Sequence, residues 1–158
     1  MRKLFILAIA FIAFSTDSYS QSAKSISFEI GGPGVASLNF DTRLGNREDG
    51  IGARVGFGGF SLNIDDDRHS LFFVPIGVNY LLGKDKRNYF EIGAGFTPVI
   101  YDGDSKDDMF TTSFGHILFG YRLQPANGGF TFRGFISPIV GGFGFYPLYG
   151  GVSLGYKF

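Results

Sequence analysis

The chain has no cysteine and no tryptophan. Without cysteine there is no disulfide, no thiolate zinc site and no cysteine nucleophile. Neither sign of charge is in surplus, since 14 Lys and Arg face 14 Asp and Glu. A nucleic-acid binder would show a basic excess. The apolar run at residues 4–14 falls short of the roughly 20 residues that a membrane-spanning helix needs. Aromatic and β-branched content is too high for a disordered chain. The glycines follow no period of three, which excludes a collagen-like helix.

The abundant residues are glycine, with 25, and phenylalanine, with 20. The N-terminus begins with basic Arg2 and Lys3. The apolar run follows, and Ser18-Tyr19-Ser20 then offers small residues at the positions a signal peptidase inspects. This pattern predicts a cleaved signal peptide over residues 1–20 and a mature chain starting at Gln21. No cysteine follows, so a lipoprotein is excluded. Residues 21–158 form one domain by length, with a net charge of about −1 once Arg2, Lys3 and Asp17 are removed. An exported domain without disulfides needs another source of stability, and a closed barrel in lipid supplies one.

Beyond residue 20 the apolar residues recur at period two, in runs separated by polar turns. Eight strands are predicted, near 25–32, 35–44, 51–61, 71–82, 89–100, 110–123, 130–140 and 148–158. The fourth is apolar on both parities. The polar segments 63–69 and 101–109 are predicted to be acidic loops, and 45–50, 83–88 and 124–129 compact turns. No helix is predicted after residue 20, and no internal domain boundary. If the mature N-terminus is periplasmic, the acidic loops lie outside the cell and the compact turns inside, as in membrane barrels.

Alternation alone does not separate a membrane barrel from a soluble one. Three features favour the membrane. The polar parity is rich in glycine, as at Gly52, Gly56, Gly93, Gly95, Gly151 and Gly155, which suits a crowded interior. The apolar parity carries more phenylalanine than a small barrel could enclose, among them Phe28, Phe40, Phe57, Phe90 and Phe119. The few strand charges share the polar parity and have both signs: Glu29, Asp41 and Glu91 with Arg43, Arg54, Arg122, Arg133 and Lys157. In a lumen they neutralise one another, with His116 as a further member of an interior hydrogen-bonded network. On the lipid face a Lys or Arg would cost about 2–4 kcal/mol at mid-membrane. Phe73, Phe114, Leu118 and Phe135 break the pattern; either they pack the lumen or they mark register-shifting bulges. Tyr80, Tyr89, Tyr121, Tyr146 and Tyr156 lie near strand ends, as in an interfacial girdle.

The last strand alternates and ends on an aromatic, with Leu154, Tyr156 and Phe158 on one face. It resembles the C-terminal signal that the barrel-assembly machinery reads in outer-membrane proteins. With the leader, the eight strands and the Gly-Gly-Pro-Gly at residues 31–34, the chain resembles the small OmpA/OmpX-like family of Gram-negative bacteria. That resemblance implies an eight-stranded antiparallel up-and-down transmembrane β-barrel in the outer membrane. Outer-membrane lipid and lipopolysaccharide are then its surroundings, and its outer loops are able to meet a surface protein or ligand. No cofactor or metal is expected.

The role expected is non-catalytic, structural or surface-interacting. Rivals are a lipopolysaccharide-modifying enzyme, a narrow porin-like channel and a soluble periplasmic barrel. A lipid-modifying enzyme needs Ser, His and a carboxylate together. His69-Ser70 follow Asp65-Asp66-Asp67, but neighbours on a strand point to opposite faces. The acidic stretch Asp102–Asp108 lacks the sixth-position glycine and the closing Glu of an EF-hand calcium loop. It is read as a solvated loop, with weak divalent bridging to lipopolysaccharide phosphates as the alternative. Eight strands enclose room only for side chains, which argues against a channel.

Overall fold

In the computed structural model, residues 22–64, 67–102 and 112–158 are described; the predicted signal peptide lies outside them. The described chain is all β apart from one turn of 3-10 helix, Gly32–Gly34. Twelve strand segments occur: β1 (Lys24–Gly31), β2 (Ala36–Arg43), β3 (Gly50–Ile64), β4 (Asp67–Phe73), β5 (Ile76–Leu82), β6 (Asn88–Thr97), β7 (Val99–Asp102), β8 (Phe114–Leu123), β9 (Gly129–Ile136), β10 (Ile139–Gly141), β11 (Gly144–Tyr146) and β12 (Gly150–Lys157).

They assemble into eight staves, every pairing is antiparallel, and β1 pairs with both β2 and β12, so the sheet closes on itself. Closure leaves no edge around the barrel wall, which a hydrocarbon surround demands.

Three staves are interrupted by proline. Val74-Pro75 separates β4 from β5, Pro98 separates β6 from β7, and Ser137-Pro138 separates β9 from β10. A proline has no N–H to give to the ladder. Its carbonyl still accepts: Gly56 N–H donates to Pro75 O, Val74 N–H to Pro98 O and Ile117 N–H to Pro138 O. The register is the same on both sides of each break. Side-chain parity therefore runs through unchanged, and Phe73, Phe114, Leu118 and Phe135 point into the lumen rather than marking bulges. Only the last stave slips by one residue, between β11 and β12.

The outer wall carries a broad apolar belt, with Phe28, Phe57, Phe96, Ile76, Val152 and Leu154 among its exposed side chains. The inner face carries Glu29, Asp41, Arg43, Arg54, Glu91, Arg122 and Arg133 and many of the glycines. Glycine sits opposite bulky lumen residues in register: Gly52 faces Arg43, Gly56 faces Asn39, Gly95 faces His116 and Gly120 faces Phe135. A Cβ at Gly52 would overlap the Arg43 guanidinium, and one at Gly95 would lie 2.6 Å from His116 Nε2. The glycines are thus the space in which larger neighbours lie.

Four expectations are corrected. The segment 63–69 is mostly strand rather than loop: β3 runs to Ile64 and β4 starts at Asp67, with Asn63 opposite Arg68 and Leu62 opposite His69, while residues 65–66 lie outside the described residues. Polar residues on strands beyond an apolar belt have the composition of a loop. The predicted loop at 101–109 likewise begins too early, because Tyr101 and Asp102 belong to β7; residues 103–111 lie outside the described residues. Leu148 lies in a turn, 89% exposed, and β12 starts only at Gly150. Tyr89 is not in the girdle. It shares the parity of Glu91 and is 2% exposed, whereas Tyr80, Tyr121, Tyr146 and Tyr156 face outward.

Candidate functional site

The alternation of β1, β2, β3, β6, β8 and β9 aims seven charged side chains at one another across the barrel axis. Glu29 Oε2 accepts from Arg54 Nη2 at 2.5 Å and also from Arg133 Nη2. Glu91 Oε1 accepts from Asn79 Nδ2 at 2.8 Å and Arg133 Nη1 at 3.3 Å, and lies 3.6 Å from Arg122 Nη1. Asp41 Oδ1 takes Arg43 Nη2 at 2.6 Å and Arg122 Nη2 at 3.1 Å, while its Oδ2 accepts from Asn79 Nδ2 at 2.6 Å. Asn79 Oδ1 in turn accepts from Arg43 Nη2 at 2.5 Å. The chain separations run from 2 residues for Arg43–Asp41 to 104 for Arg133–Glu29, so most of these pairs exist only because the sheet is closed.

All seven side chains are buried. Burial makes pairing obligatory, because an ionised group out of water and without a partner costs several kcal/mol. Asn39 and Asn79 extend the network: Asn39 Oδ1 accepts from Arg54 Nε at 3.1 Å. Sequence patterning places the charged residues on the inner parity but carries no signal for these two asparagines as connectors.

Two predicted members sit elsewhere. Lys157 lies at the end where the chain termini emerge. Its ammonium donates to Glu48, to Pro125 O at 3.1 Å and to Ala126 O at 2.6 Å. All three donors of an ammonium are thereby used. Glu48, from the β2–β3 turn, also accepts from Gln124 Nε2 at 3.5 Å, so that turn folds over the mouth of the barrel. His116 is buried, and its Nδ1 lies 3.3 Å from Thr97 Oγ1. It lines a cavity of about 20 Å³ with Arg54, Asn79 and Glu91, close to the room one water molecule needs.

Toward the opposite end the lumen becomes apolar. Phe73, Phe114 and Ile139 are fully buried there, packed by Val35, Phe60, Leu71, Val99, Phe143 and Tyr149. The Gly32–Gly34 turn is buried beside them. Gly32 has φ +68°, and a Cβ on it would lie 2.6 Å from the Phe135 ring and 2.8 Å from Glu29 Oε1; only glycine satisfies both conditions. The axis of the barrel thus passes a lysine-pinned turn, an ionic layer and an aromatic plug.

At the rim, Ser70 Oγ lies 3.0 Å from Ser61 Oγ. Leu154, Tyr156 and Phe158 face outward on β12 and beyond it, and Phe158 N–H donates to Lys24 O at 3.0 Å where the first and last strands close.

No protein-family model matches the sequence, and no curated protein matches it significantly. Two solved structures are similar. The N-terminal β-barrel domain of Pseudomonas aeruginosa OprF aligns at a TM-score of 0.57 with 12% identity, over 90% of this chain and 100% of that domain. Yersinia pestis outer membrane protein Ail, whose backbone structure is known in a phospholipid bilayer nanodisc, aligns at 0.53 with 12% identity, over 87% and 99%. At that identity the likeness is one of fold: like those two proteins, the chain is a closed eight-stranded antiparallel β-barrel.

Proposed function

We propose that this chain is an integral barrel of the bacterial outer membrane with a non-catalytic role, structural or surface-interacting. The observation that carries the reading is the sorting of side chains. The charged strand residues described above meet inside a closed wall, and the wall itself presents phenylalanine, isoleucine, leucine and valine. That surface suits hydrocarbon and is wrong for water. In this reading the leader at residues 1–20 exports the chain, and Leu154, Tyr156 and Phe158 present the terminal signal to the assembly machinery. The end with Lys157 and the compact turns is periplasmic, and the long strands β3 and β4 carry the outer surface toward lipopolysaccharide and other proteins.

The filled lumen supports a scaffold over a channel. The pairing of Ser70 with Ser61, and of His116 with Thr97, supports it over a hydrolase that would need a Ser–His contact. Expression of the whole chain in a Gram-negative host, followed by membrane separation and urea washing, tests the placement. Recovery in the urea-resistant outer-membrane fraction is expected, with the lipid A mass spectrum unchanged by expression. Recovery in the soluble periplasm, or a new lipid A species that depends on the protein, would refute it.

A further inference from the structure

The ionic layer does not balance. Four guanidiniums, Arg43, Arg54, Arg122 and Arg133, meet three carboxylates, Glu29, Asp41 and Glu91. The Lys157–Glu48 pair at the mouth is neutral in sum and leaves the surplus unchanged. Near Arg54 and Arg133 the imbalance is local, because both bind the same Glu29 oxygen, while Glu29 Oε1 and the buried Nε of Arg133 have no partner among the described residues. One positive charge therefore lies in a water-poor interior without a counter-charge among the described residues, which is costly unless something neutralises it.

A second observation locates the neutralising group. A cavity of about 10 Å³ lies inside the wall, lined by Arg54, Arg122 and Arg133 and by the hydroxyl-bearing residues Ser27, Thr131 and Ser153, with Phe132 beside them. None of these three hydroxyls has a hydrogen-bond partner among the described residues. Ser25 also lines it, accepting from Arg122 Nη2 at 3.1 Å. The one acidic residue in the lining, Asp41, has both oxygens engaged by Arg43, Arg122 and Asn79. The room exists because Gly155 stands between Ser27 and Thr131 in the cross-strand row; a Cβ there would come within 2.6 Å of Ser27 Cβ. The lining thus places three arginines and four hydroxyl-bearing residues around a space for one small occupant. A water would bond the hydroxyls and leave the charge; an anion does both.

We infer that the lumen binds one small monovalent anion of chloride type, held between Arg54, Arg122 and Arg133 and capped by Ser27, Thr131 and Ser153. It completes the ionic layer as a missing carboxylate would, and it binds only the closed barrel. Its binding therefore adds to stability in proportion to the logarithm of its concentration above the dissociation constant.

The test uses the full-length mature protein in detergent, unfolded by urea in chloride or in gluconate at equal ionic strength. In chloride the midpoint should rise by about 0.5 M urea for each tenfold increase in concentration above saturation, and in gluconate it should stay flat. The double variant Thr131→Val/Ser153→Ala leaves every ion pair in place, so it should fold and keep its gluconate midpoint while losing the chloride dependence. Crystals grown in bromide should show an anomalous peak in the cavity. Identical midpoints in the two salts, chloride dependence retained by the double variant, or a bromide crystal with no anomalous density there would each overturn the inference. None of these readouts depends on where the protein resides or what it meets outside the cell.

Discussion

A single carboxylate decides the neighbourhood of two arginines. Glu29 lies on β1 at 0% exposure, and its Oε2 receives both Arg54 and Arg133. Truncation would leave two guanidiniums facing each other in a closed space. Glu29→Ala should therefore lower stability by about 3–5 kcal/mol, read as a fall in the urea midpoint in detergent. Arg47→Ala removes an equally well-formed pair with Asp49, but that arginine is 79% exposed and its charge is already solvated. Its midpoint should match the parent. Equal losses in the two variants would mean that the ionic layer is hydrated and carries little of the fold. The parity of Glu29, Arg54 and Arg133 is readable from alternation in the sequence; their shared oxygen is not, because 104 residues separate Glu29 from Arg133.

At the level of the element, the strands were legible wherever one parity is apolar and the other is glycine or charge. β1, β2, β6 and β12 show this pattern; the predicted bounds of β1, β2 and β12 lie within two residues of the observed ones, and those of β6 within three. Legibility fails at the far ends of β3 and β4. There the apolar parity gives way to polar residues, and strand residues take on loop composition. It also fails in the fourth stave, where an aromatic plug fills the inner parity at Phe73 and erases the contrast with Phe72. The proline breaks belong to this scale as well. Pro98→Ala keeps the carbonyl that accepts from Val74 N–H, so register should persist and the urea midpoint should move by less than the equivalent of about 1 kcal/mol. Val74→Pro removes the donor of that same bond and should cost about 1–3 kcal/mol. A larger loss for Pro98→Ala than for Val74→Pro would show that the ring itself shapes the stave.

For the whole molecule, the question is whether anything passes along the axis. The ionic layer occupies one part of the lumen, and Phe73, Phe114 and Ile139 occlude another without a single polar side chain among them. Ions do not cross an apolar constriction that excludes water. The parent protein in planar bilayers should show no resolvable conductance steps. Phe73→Ala/Phe114→Ala should remain non-conducting, since the ionic layer still fills the lumen, while losing about 3–5 kcal/mol per deleted ring. Steady, reproducible channels from the parent would remove the scaffold reading in favour of a pore.

The sequence by itself determined the all-β architecture, the strand number and which parity of each strand carries charge. Those properties follow from side-chain period and composition, which are local. Only the tertiary structure decided which arginine meets which carboxylate and that Asn79 links Asp41 to Glu91. The occlusion of the lumen by a plug on one side and a pinned turn on the other was decided there too. These depend on register and closure, which bring together residues on staves far apart in the chain, and no local pattern specifies the stagger with which eight strands are joined.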